Sequence, residues 1–314
     1  MAGIDRAALA GLIATEGSVV RVVVVATQGS TPREVGAAMC VTGTGLHGTI
    51  GGGALEHGAV QAAREMLAGG APARLDRLAL GPALNQCCGG AVTLLSERFT
   101  AADTLPDEVF ARPLPGLGCE MPLAVSRILT AARGQGLTPL PQLVQGWFVE
   151  PVSPPARHLW LWGAGHVGRA VAAVMAPLPG VQLTWIDAAP DRFPPDPPPG
   201  VTILPAADPA LLAGHAPRDA DHLVMTFSHP LDLEICHQLL GHGFGNLGLI
   251  GSASKAARFR SRLRDLGHPV ENVARIRCPI GDPGLGKHPQ AIALGVAVAF
   301  LTQGRQSGRE RMGA

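Results

Sequence analysis

Apolar residues follow two different patterns in the two halves of the chain. Over residues 1–100, a helical pattern at 5–16 precedes the β-branched run at 19–27, and helical spacing at 54–70 precedes the strand-like run at 91–99. From residue 158 onward, apolar runs of strand length alternate with helical segments. The first pattern predicts an α+β domain. The second predicts a mostly parallel α/β sheet with right-handed crossovers.

Chain length and turn-forming residues suggest where the domains divide. A chain of 314 residues is longer than one hydrophobic core usually supports. The segment 101–157 is rich in proline and glycine, with a predicted helix at 120–133 and a strand around 146–151. We therefore predict an α+β domain over 1–100, a bridging segment over 101–157 and an α/β domain over 158–314.

The bulk composition excludes several classes of partner. Charged residues make up 16% of the chain and the formal net charge is +1 at pH 7, so no excess charge attracts nucleic acid. The six cysteines include no CxxC pair, which argues against a disulfide scaffold and a zinc ribbon. The first residues lack the pattern of a secretion signal, and no apolar stretch reaches the roughly 20 residues of a membrane span. We expect a cytoplasmic protein without a membrane segment.

A glycine fingerprint opens the second domain. Gly163, Gly165 and Gly168 fit GxGxxG between an apolar strand and a helix, and Asp187 ends the next strand, which predicts a Rossmann-like fold. Such glycines let a diphosphate approach the helix N-terminus, and the carboxylate can accept from ribose hydroxyls. Six prolines in 188–200 stand where the second crossover helix would run, so we expect that helix to be missing. A bound dinucleotide such as NAD(P) and a vestigial nucleotide site both stay open.

Other polar side chains follow the strands of this domain. His229 comes after the fourth strand, near the switch point where ligands bind such sheets. Asp232 either orients His229 or, as we favour, caps the following helix. Lys255 and Lys287 stand beside glycine loops that suit an anion, although a solvated lysine in an ordinary turn explains each by itself. His166, inside the fingerprint, is expected to face solvent or to pack on its helix.

Three loops of the first domain share a chemistry. They are GSTPRE at 29–34, GTIGGG at 48–53 and QCCGG at 86–90. Turn amides form anion-binding nests, hydroxyl and guanidinium groups can bind an oxyanion or a planar amide ring, and a thiolate suits a soft metal. Composition alone favours the simpler alternative of three tight turns with buried cysteines. The candidate ligand-binding residues are Ser30, Thr31, Arg33, Gly51, Gly52, Gly53, Cys87, Cys88 and Gly89.

Seven motifs, taken in order, give the chain a resemblance to a known family. They are GSTPREVGAAMCV, GTIGGGALE, QCCGGAVTLLSE, WGAGHVGRA, a strand ending in Asp187, IGSASK and PIGDPGLGKHPQAIALGVA. In this order they resemble the xanthine dehydrogenase accessory protein family, XdhC/CoxI, over nearly the whole chain. The likeness is weakest over 101–157 and 190–200. Two departures from the family's pattern are Asn85, where the motif GQCCGG has its first glycine, and Pro230, where relatives commonly have a second histidine.

The resemblance implies a cytoplasmic chaperone for molybdenum cofactor rather than an enzyme that turns over xanthine. Such a protein binds the cofactor and protects it while a cysteine desulfurase helps to install the terminal sulfido ligand. It then passes the cofactor to the molybdenum subunit of xanthine dehydrogenase. Cys88, slightly preferred over Cys87, is then the thiolate that ligates or shields molybdenum. A homodimer that closes the cofactor site is a further expectation, and His229 and Lys255 join the fingerprint residues as candidate contacts to a bound ligand.

Two other functions fit the residues. One is an NAD(P)-dependent oxidoreductase that uses the second domain, with His229 as its acid/base group. The other is a non-catalytic nucleotide-sensing module whose first domain contacts a partner. Hydride transfer that is lost in His229→Ala would favour the oxidoreductase, whereas nucleotide binding without turnover would favour the sensor.

Overall fold

The computed structural model describes residues 3–81, 89–102, 104–153 and 157–310, with side chains described as far as residue 302. The chain divides into two compact units, Met1–Pro155 and Ala156–Ala314. The helices are α1 (Arg6–Glu16), α2 (Gly53–Leu67), α3 (Leu123–Gln135), α4 (His166–Met175), α5 (His229–His242), α6 (Ala253–Asp265), α7 (Val270–Ala274) and α8 (Pro289–Glu310). The strands are β1 (Val19–Gln28), β2 (Ala38–Val41), β3 (Leu46–Gly48), β4 (Ala73–Ala79), β5 (Ala91–Phe99), β6 (Val109–Pro113), β7 (Gln142–Val144), β8 (Trp147–Pro151), β9 (Arg157–Trp162), β10 (Val181–Asp187), β11 (Thr202–Pro205), β12 (Asp221–Val224), β13 (Leu247–Leu249) and β14 (Ile276–Arg277).

The first unit is built on a five-stranded antiparallel sheet in the order β3-β2-β1-β5-β4. The central strand β1 is buried on both faces because its valines alternate between two clusters. Val20, Val22 and Val24 pack with α2, whereas Val23 and Val25 pack on the opposite face. β4 was not predicted, because charged residues interrupt its sequence and leave no continuous apolar run. Charged side chains on an edge strand hinder pairing with a strand of another chain.

A second, three-stranded antiparallel sheet in the order β6-β8-β7 lies within the segment predicted as a bridge. This segment belongs to the first unit as far as residue 155. Trp147 and Val149 of β8 pack with Val125 of α3, whereas Phe148 packs with Val23 of β1. The small sheet therefore covers the face of the large sheet that α2 leaves free.

Charged side chains join these two sheets. Arg21 of β1 donates through Nη1 and Nη2 to the two carboxylate oxygens of Glu150, at 2.9 and 2.8 Å. Arg112 pairs with Glu150 at 2.8 Å and donates through Nε to Glu97 at 2.9 Å. Arg21, Glu150 and Arg112 are buried. Burial lowers the pKa of Arg112, but the carboxylates of Glu97 and Glu150 more than offset it, so the pKa is raised.

The second unit has a six-stranded parallel sheet in the order β11-β10-β9-β12-β13-β14. Numbered along this unit, that is the order 3-2-1-4-5-6 of a Rossmann fold, so the predicted fold is confirmed. The central strand β9 is covered on both faces. Leu159 and Leu161 pack with α4 and α8, whereas Trp160 and Trp162 pack with α5 and α6.

The connection from β10 to β11 differs from a regular Rossmann fold, as the prolines predicted. Between Asp187 and Thr202 the only helical turn is a 3-10 turn, Pro190–Arg192. Proline lacks the N–H that continues a helix and disfavours the helical conformation in the residue before it. In the part of the chain that the structure describes, no helix has both the length and the apolar character that a membrane crossing requires.

Candidate functional site

Two of the three predicted loops of the first unit meet where β1 ends and β5 begins. Gln28 pairs with Ala91 in the antiparallel register, so the residues after β1 lie beside those before β5. The contact is close: a Cβ atom at Gly90 would overlap the carbonyl oxygens of Gln28 and Ser30. Glycine at 90 is therefore needed for the two loops to approach each other.

The third loop, at 48–53, contacts the loop at 29–34 and so lies at the same edge of the sheet. Arg33 Nη1 donates to the carbonyl oxygen of Thr49 at 3.4 Å. A Cβ atom at Gly51 would lie 2.7 Å from the ring of Pro32. Ile50, fully buried beside Leu55, anchors this loop in the core under α2. We call residues 28–33, 49–53 and 89–90 together the loop cluster.

The nest predicted at 48–53 holds a carboxylate of the protein itself. Glu56, in the first turn of α2, accepts from the backbone amides of Ile50 at 3.0 Å and Gly52 at 3.2 Å and from Thr49 Oγ1 at 2.5 Å. Burial raises the pKa of Glu56, but these hydrogen bonds outweigh it, so the pKa lies below its usual value of 4.5. The sequence reasoning missed Glu56, although an acid in the first helical turn after a glycine turn is a signal for such a contact.

The loop cluster nevertheless leaves an opening. At Gly52 and Gly89, no heavy atom of the described residues lies within 4 Å of the position of a Cβ atom. Ser30 is exposed, whereas the Thr31 hydroxyl donates to the carbonyl of Arg33 at 3.1 Å. The side chain of Arg33 is 37% exposed, and its Nη2 also pairs with Glu34 Oε1 at 3.3 Å. The loop cluster therefore combines open glycine backbone with an exposed hydroxyl and a partly exposed guanidinium, groups that suit an oxyanion or a planar amide ring.

The predicted thiols cannot be placed in this geometry. Cys87 and Cys88 lie outside the described residues, although Gly89, which follows them in sequence, belongs to the loop cluster. Over the described ranges, no group of three or more His, Cys, Asp and Glu side chains could hold a metal ion. The assignment of Cys88 as a molybdenum ligand stays a prediction.

A second candidate site lies at the carboxyl end of the parallel sheet. At Gly163 a Cβ atom would overlap the carbonyl oxygen of Met225, and at Gly168 it would overlap that of Gly163. These two glycines let β9, α4 and the residues after β12 pack closely. At Gly165, the N-cap of α4, no heavy atom in the part of the chain that the structure describes lies within 4 Å of the Cβ position.

Asp187 has backbone partners at the end of β10. Its Oδ2 accepts from the amide of Ala164 at 2.5 Å and its Oδ1 from that of Ala188 at 2.6 Å. Arg192 Nε lies 3.5 Å from Oδ1. With the residue only 2% exposed, the carboxylate ties the fingerprint loop to β10.

The expectation that Asp232 caps the helix after β12 is wrong. His229 is exposed as the first residue of α5, and Ser228, not Asp232, is the N-cap, accepting from the amide of Leu231 at 3.4 Å. Asp232 is fully buried and accepts from Thr226 through its amide at 3.0 Å and its hydroxyl at 2.7 Å. Asp232 therefore holds the preceding loop rather than capping the helix.

Lys255 is not the solvated lysine expected beside a glycine turn. Its side chain is 6% exposed, and Nζ lies 2.6 Å from Asp232 Oδ2 and donates to the carbonyl of Ile250 at 2.9 Å. Burial raises the pKa of two neighbouring thiols, Cys236 and Cys278, and the positive charge of Lys255 only partly opposes this. His166 and Lys287 are exposed, as expected for solvent-facing side chains.

Sequence reasoning also missed two side chains at this edge. Phe227, on the loop between β12 and α5, is 66% exposed. The guanidinium carbon of Arg192 lies 4.9 Å from the centroid of the Phe227 ring. A phenylalanine beside the switch-point histidine was the available signal for this contact.

Comparison with known proteins bears on both units. The family profile described as "XdhC and CoxI family" matches residues 12–77, and the profile described as "XdhC Rossmann domain" matches residues 159–299. The uncharacterized protein YqeB of Escherichia coli (strain K12) is 31% identical over 144 residues, which are 46% of this chain and 26% of that protein. The chain thus spans about a quarter of the length of this curated relative.

A solved structure supports the fold. A Bacillus halodurans protein, described as a xanthine dehydrogenase, superposes with a TM-score of 0.73 over 96% of each chain, at 19% sequence identity. At 19% sequence identity, this superposition shows a shared fold only.

Proposed function

Because the chain belongs to the XdhC and CoxI family, we propose that it is a maturation factor for xanthine dehydrogenase that carries molybdenum cofactor. In this proposal it binds the cofactor as cargo and shields it while a cysteine desulfurase supplies the terminal sulfur. It then delivers the cofactor to the molybdenum subunit of the dehydrogenase. These steps take place in the cytoplasm, and a homodimer closes the cargo site.

The observation that carries this proposal is the opening in the loop cluster. The cargo is a flat pterin that bears a phosphate and holds molybdenum through two sulfurs. Open backbone at Gly52 and Gly89 lets such a ring approach closely, and Arg33 and Ser30 supply donors for its oxygens and phosphate. Cys87 and Cys88 supply soft thiolates, the ligand type that suits such a metal.

Without cargo, the carboxylate of Glu56 accepts hydrogen bonds from the backbone amides of the loop at 48–53. Unpaired amides are costly when they are shielded from water, and the Glu56 carboxylate accepts from those of Ile50 and Gly52. An anionic cargo group that enters the nest must replace this internal carboxylate. This competition lowers the affinity of the protein for its cargo. A lower affinity suits a carrier, because the client enzyme must bind the cargo more tightly than the carrier does. Each tenfold difference in affinity corresponds to about 1.4 kcal/mol.

Cofactor retention tests the proposal. Protein isolated from cells that make molybdenum cofactor should contain about one molybdenum and one pterin per site, measured by metal analysis and by pterin fluorescence after oxidation. Cys88→Ala, Cys87→Ala or both together should lose most of this content, and Arg33→Ala should weaken it at least about tenfold. Arg77→Ala, on the edge strand β4, is the matched arginine control and should retain the cargo.

Two results would contradict the carrier proposal. A double cysteine variant that keeps its full cofactor content would remove the thiols from the mechanism. Wild-type protein that carries no cofactor, while the dehydrogenase in the same cells is fully loaded, would remove the carrier function itself.

A further inference from the structure

Strand β4 is a free edge of the large sheet in the first unit. Among the strands that the structure describes, it pairs with β5 alone. Leu80, directly after β4, donates its amide to the carbonyl of Gly90 at 2.7 Å. In an antiparallel pair, residues that bond to the neighbouring strand alternate with residues that face away from it. The amides and carbonyls of Ala73, Leu75 and Arg77 therefore point toward the free edge.

An open groove of about 470 Å³ lies along this edge. On one side it is lined by the last turns of α2, which include Glu65 and Met66, and on the other by Pro115 in the segment after β6. Arg74 and Leu75 of β4 line it as well. A free strand edge between two walls has the shape that accepts an added strand, which pairs through its main chain.

The charges of β4 indicate which strand fits this edge. Such charges hinder pairing with strands of unrelated sequence. Arg74 and Asp76 lie on one face of β4, where Arg74 Nε donates to Asp76 Oδ1 at 2.9 Å and the Arg74 side chain is 45% exposed. A second copy of β4, antiparallel and centred on Leu75, places Arg74 of each copy opposite the partner's Asp76. Centring the pair on Arg74 or on Asp76 instead would place like charges opposite each other.

We propose that two copies of this chain dimerise through their β4 strands, paired antiparallel about Leu75. In this register the outward amide and carbonyl of Leu75 bond to those of the partner's Leu75, and those of Ala73 bond to those of the partner's Arg77. Each strand enters the groove of the other copy, and the two large sheets join into one. The same residues act on both copies, so two-fold symmetry closes the interface.

This interface begins beside the loop cluster. Leu80 bonds to Gly90 of the loop cluster, and Ala79, just before it, lies opposite the partner's Ala71 in the proposed register. The turn that precedes the partner's β4 therefore lies close to the loop cluster. In giving the homodimer a role in closing the cargo site, the inference rests on the proposed function. The pairing of the strands itself does not require cargo.

Sedimentation velocity of the full chain, from about 1 to 100 µM, tests the interface. The wild type should form a dimer as its concentration rises. Arg74→Asp and Asp76→Arg each place like charges opposite each other, so each should raise the Kd of the dimer at least about tenfold. Mixed in equal amounts, the two variants should form a heterodimer, because opposite charges then face each other again at both positions. Heterodimer formation also shows that both variants are folded.

Matched controls on the same strand separate the interface from a general effect of charge. Arg77→Asp reverses an exposed charge of β4 at a position that faces the partner's Ala73, and it should dimerise like the wild type. Arg77→Pro removes an outward amide without removing a hydrogen bond to β5, and it should weaken the dimer. All four variants should keep the thermal unfolding midpoint of the wild type to within a few degrees.

The interface is disproved by either of two results. Wild-type protein that stays monomeric at about 100 µM would leave this edge to a strand of another protein. A dimer that forms with wild-type affinity in both Arg74→Asp and Asp76→Arg would lie on a different surface. Molybdenum content is measured separately on the same samples. A dimer without cargo therefore contradicts the carrier function alone, and a monomer that holds cargo contradicts this interface alone.

Discussion

Arg21 interrupts the valine run of β1, and its place there has an electrostatic reason. Both of its terminal nitrogens donate to Glu150, which is 0% exposed, and Arg112 shares that carboxylate and passes the network on to Glu97. A bidentate guanidinium–carboxylate pair fixes orientation as well as distance. The pair therefore sets how the small sheet of the first unit lies on the large one.

Breaking this pair should destabilise the first unit strongly. Arg21→Met leaves Glu150 buried with Arg112 as its remaining partner, and we expect it to lower the free energy of unfolding by about 3–5 kcal/mol. The double variant Arg21→Met/Glu150→Met removes one charge of each sign and leaves the Arg112–Glu97 pair, so it should recover much of the loss. Chemical denaturation followed by circular dichroism measures both. Equal losses in the single and double variants would show that the charge pair is not the cause.

Strand β12 carries a histidine in its buried interior. His222 is 1% exposed, and its Nδ1 accepts from Trp162 Nε1 at 3.2 Å, with the two rings stacked. Burial, with a smaller contribution from His242, lowers the pKa of His222 from 6.5 to about 3. The folded strand therefore keeps this ring neutral under conditions in which the unfolded chain protonates it.

The stability of the second unit should depend on pH through this strand. Between its unfolded pKa of 6.5 and its folded pKa of about 3, His222 binds a proton only in the unfolded chain. Stability should fall as the pH falls through that window, by up to about 1.4 kcal/mol per pH unit from this group. The difference in unfolding free energy between wild type and His222→Leu should then change between about pH 6.5 and pH 4, whereas His57→Leu, an exposed histidine on α2, should leave the slope unchanged. Parallel curves for His222→Leu and wild type would contradict the neutral assignment.

At the scale of the whole molecule, each unit has its own hydrophobic core. In the first unit, apolar clusters lie under α2, between the two sheets and under α3. In the second, one cluster lies on each face of the parallel sheet. A segment that buries its own core has the main requirement for folding alone.

We therefore expect the two units to fold when produced separately. Residues 1–153 and 157–314 should each unfold cooperatively by calorimetry and show the secondary structure content of the corresponding part of the full chain by circular dichroism. Cofactor retention should remain with the first fragment. A fragment that exposes its core and aggregates would show that its stability depends on the other unit.

Prediction from sequence succeeded where the information is local. The strand at 91–99 and the helix at about 5–16 were predicted because apolar periodicity involves residues a few positions apart. β4 and β6 were missed because short, partly exposed strands are specified by their pairing partners. In the candidate sites, the glycine loops were predicted, but Glu56, Phe227 and Arg192 were not, because their roles depend on what lies opposite them.

By itself, the sequence of this protein determined the α+β and parallel α/β classes, the fingerprint loop and the lost crossover helix. Each follows from alternation, glycine freedom or proline chemistry within a few residues. Only the tertiary structure decided that Glu56 fills its own nest, that Gly165 alone of the fingerprint glycines faces open space, and that Lys255 is buried. Lys255 meets Asp232 across 23 positions and Arg21 meets Glu150 across 129, and no local pattern specifies contacts at such separations. Packing and electrostatics in the folded chain select them.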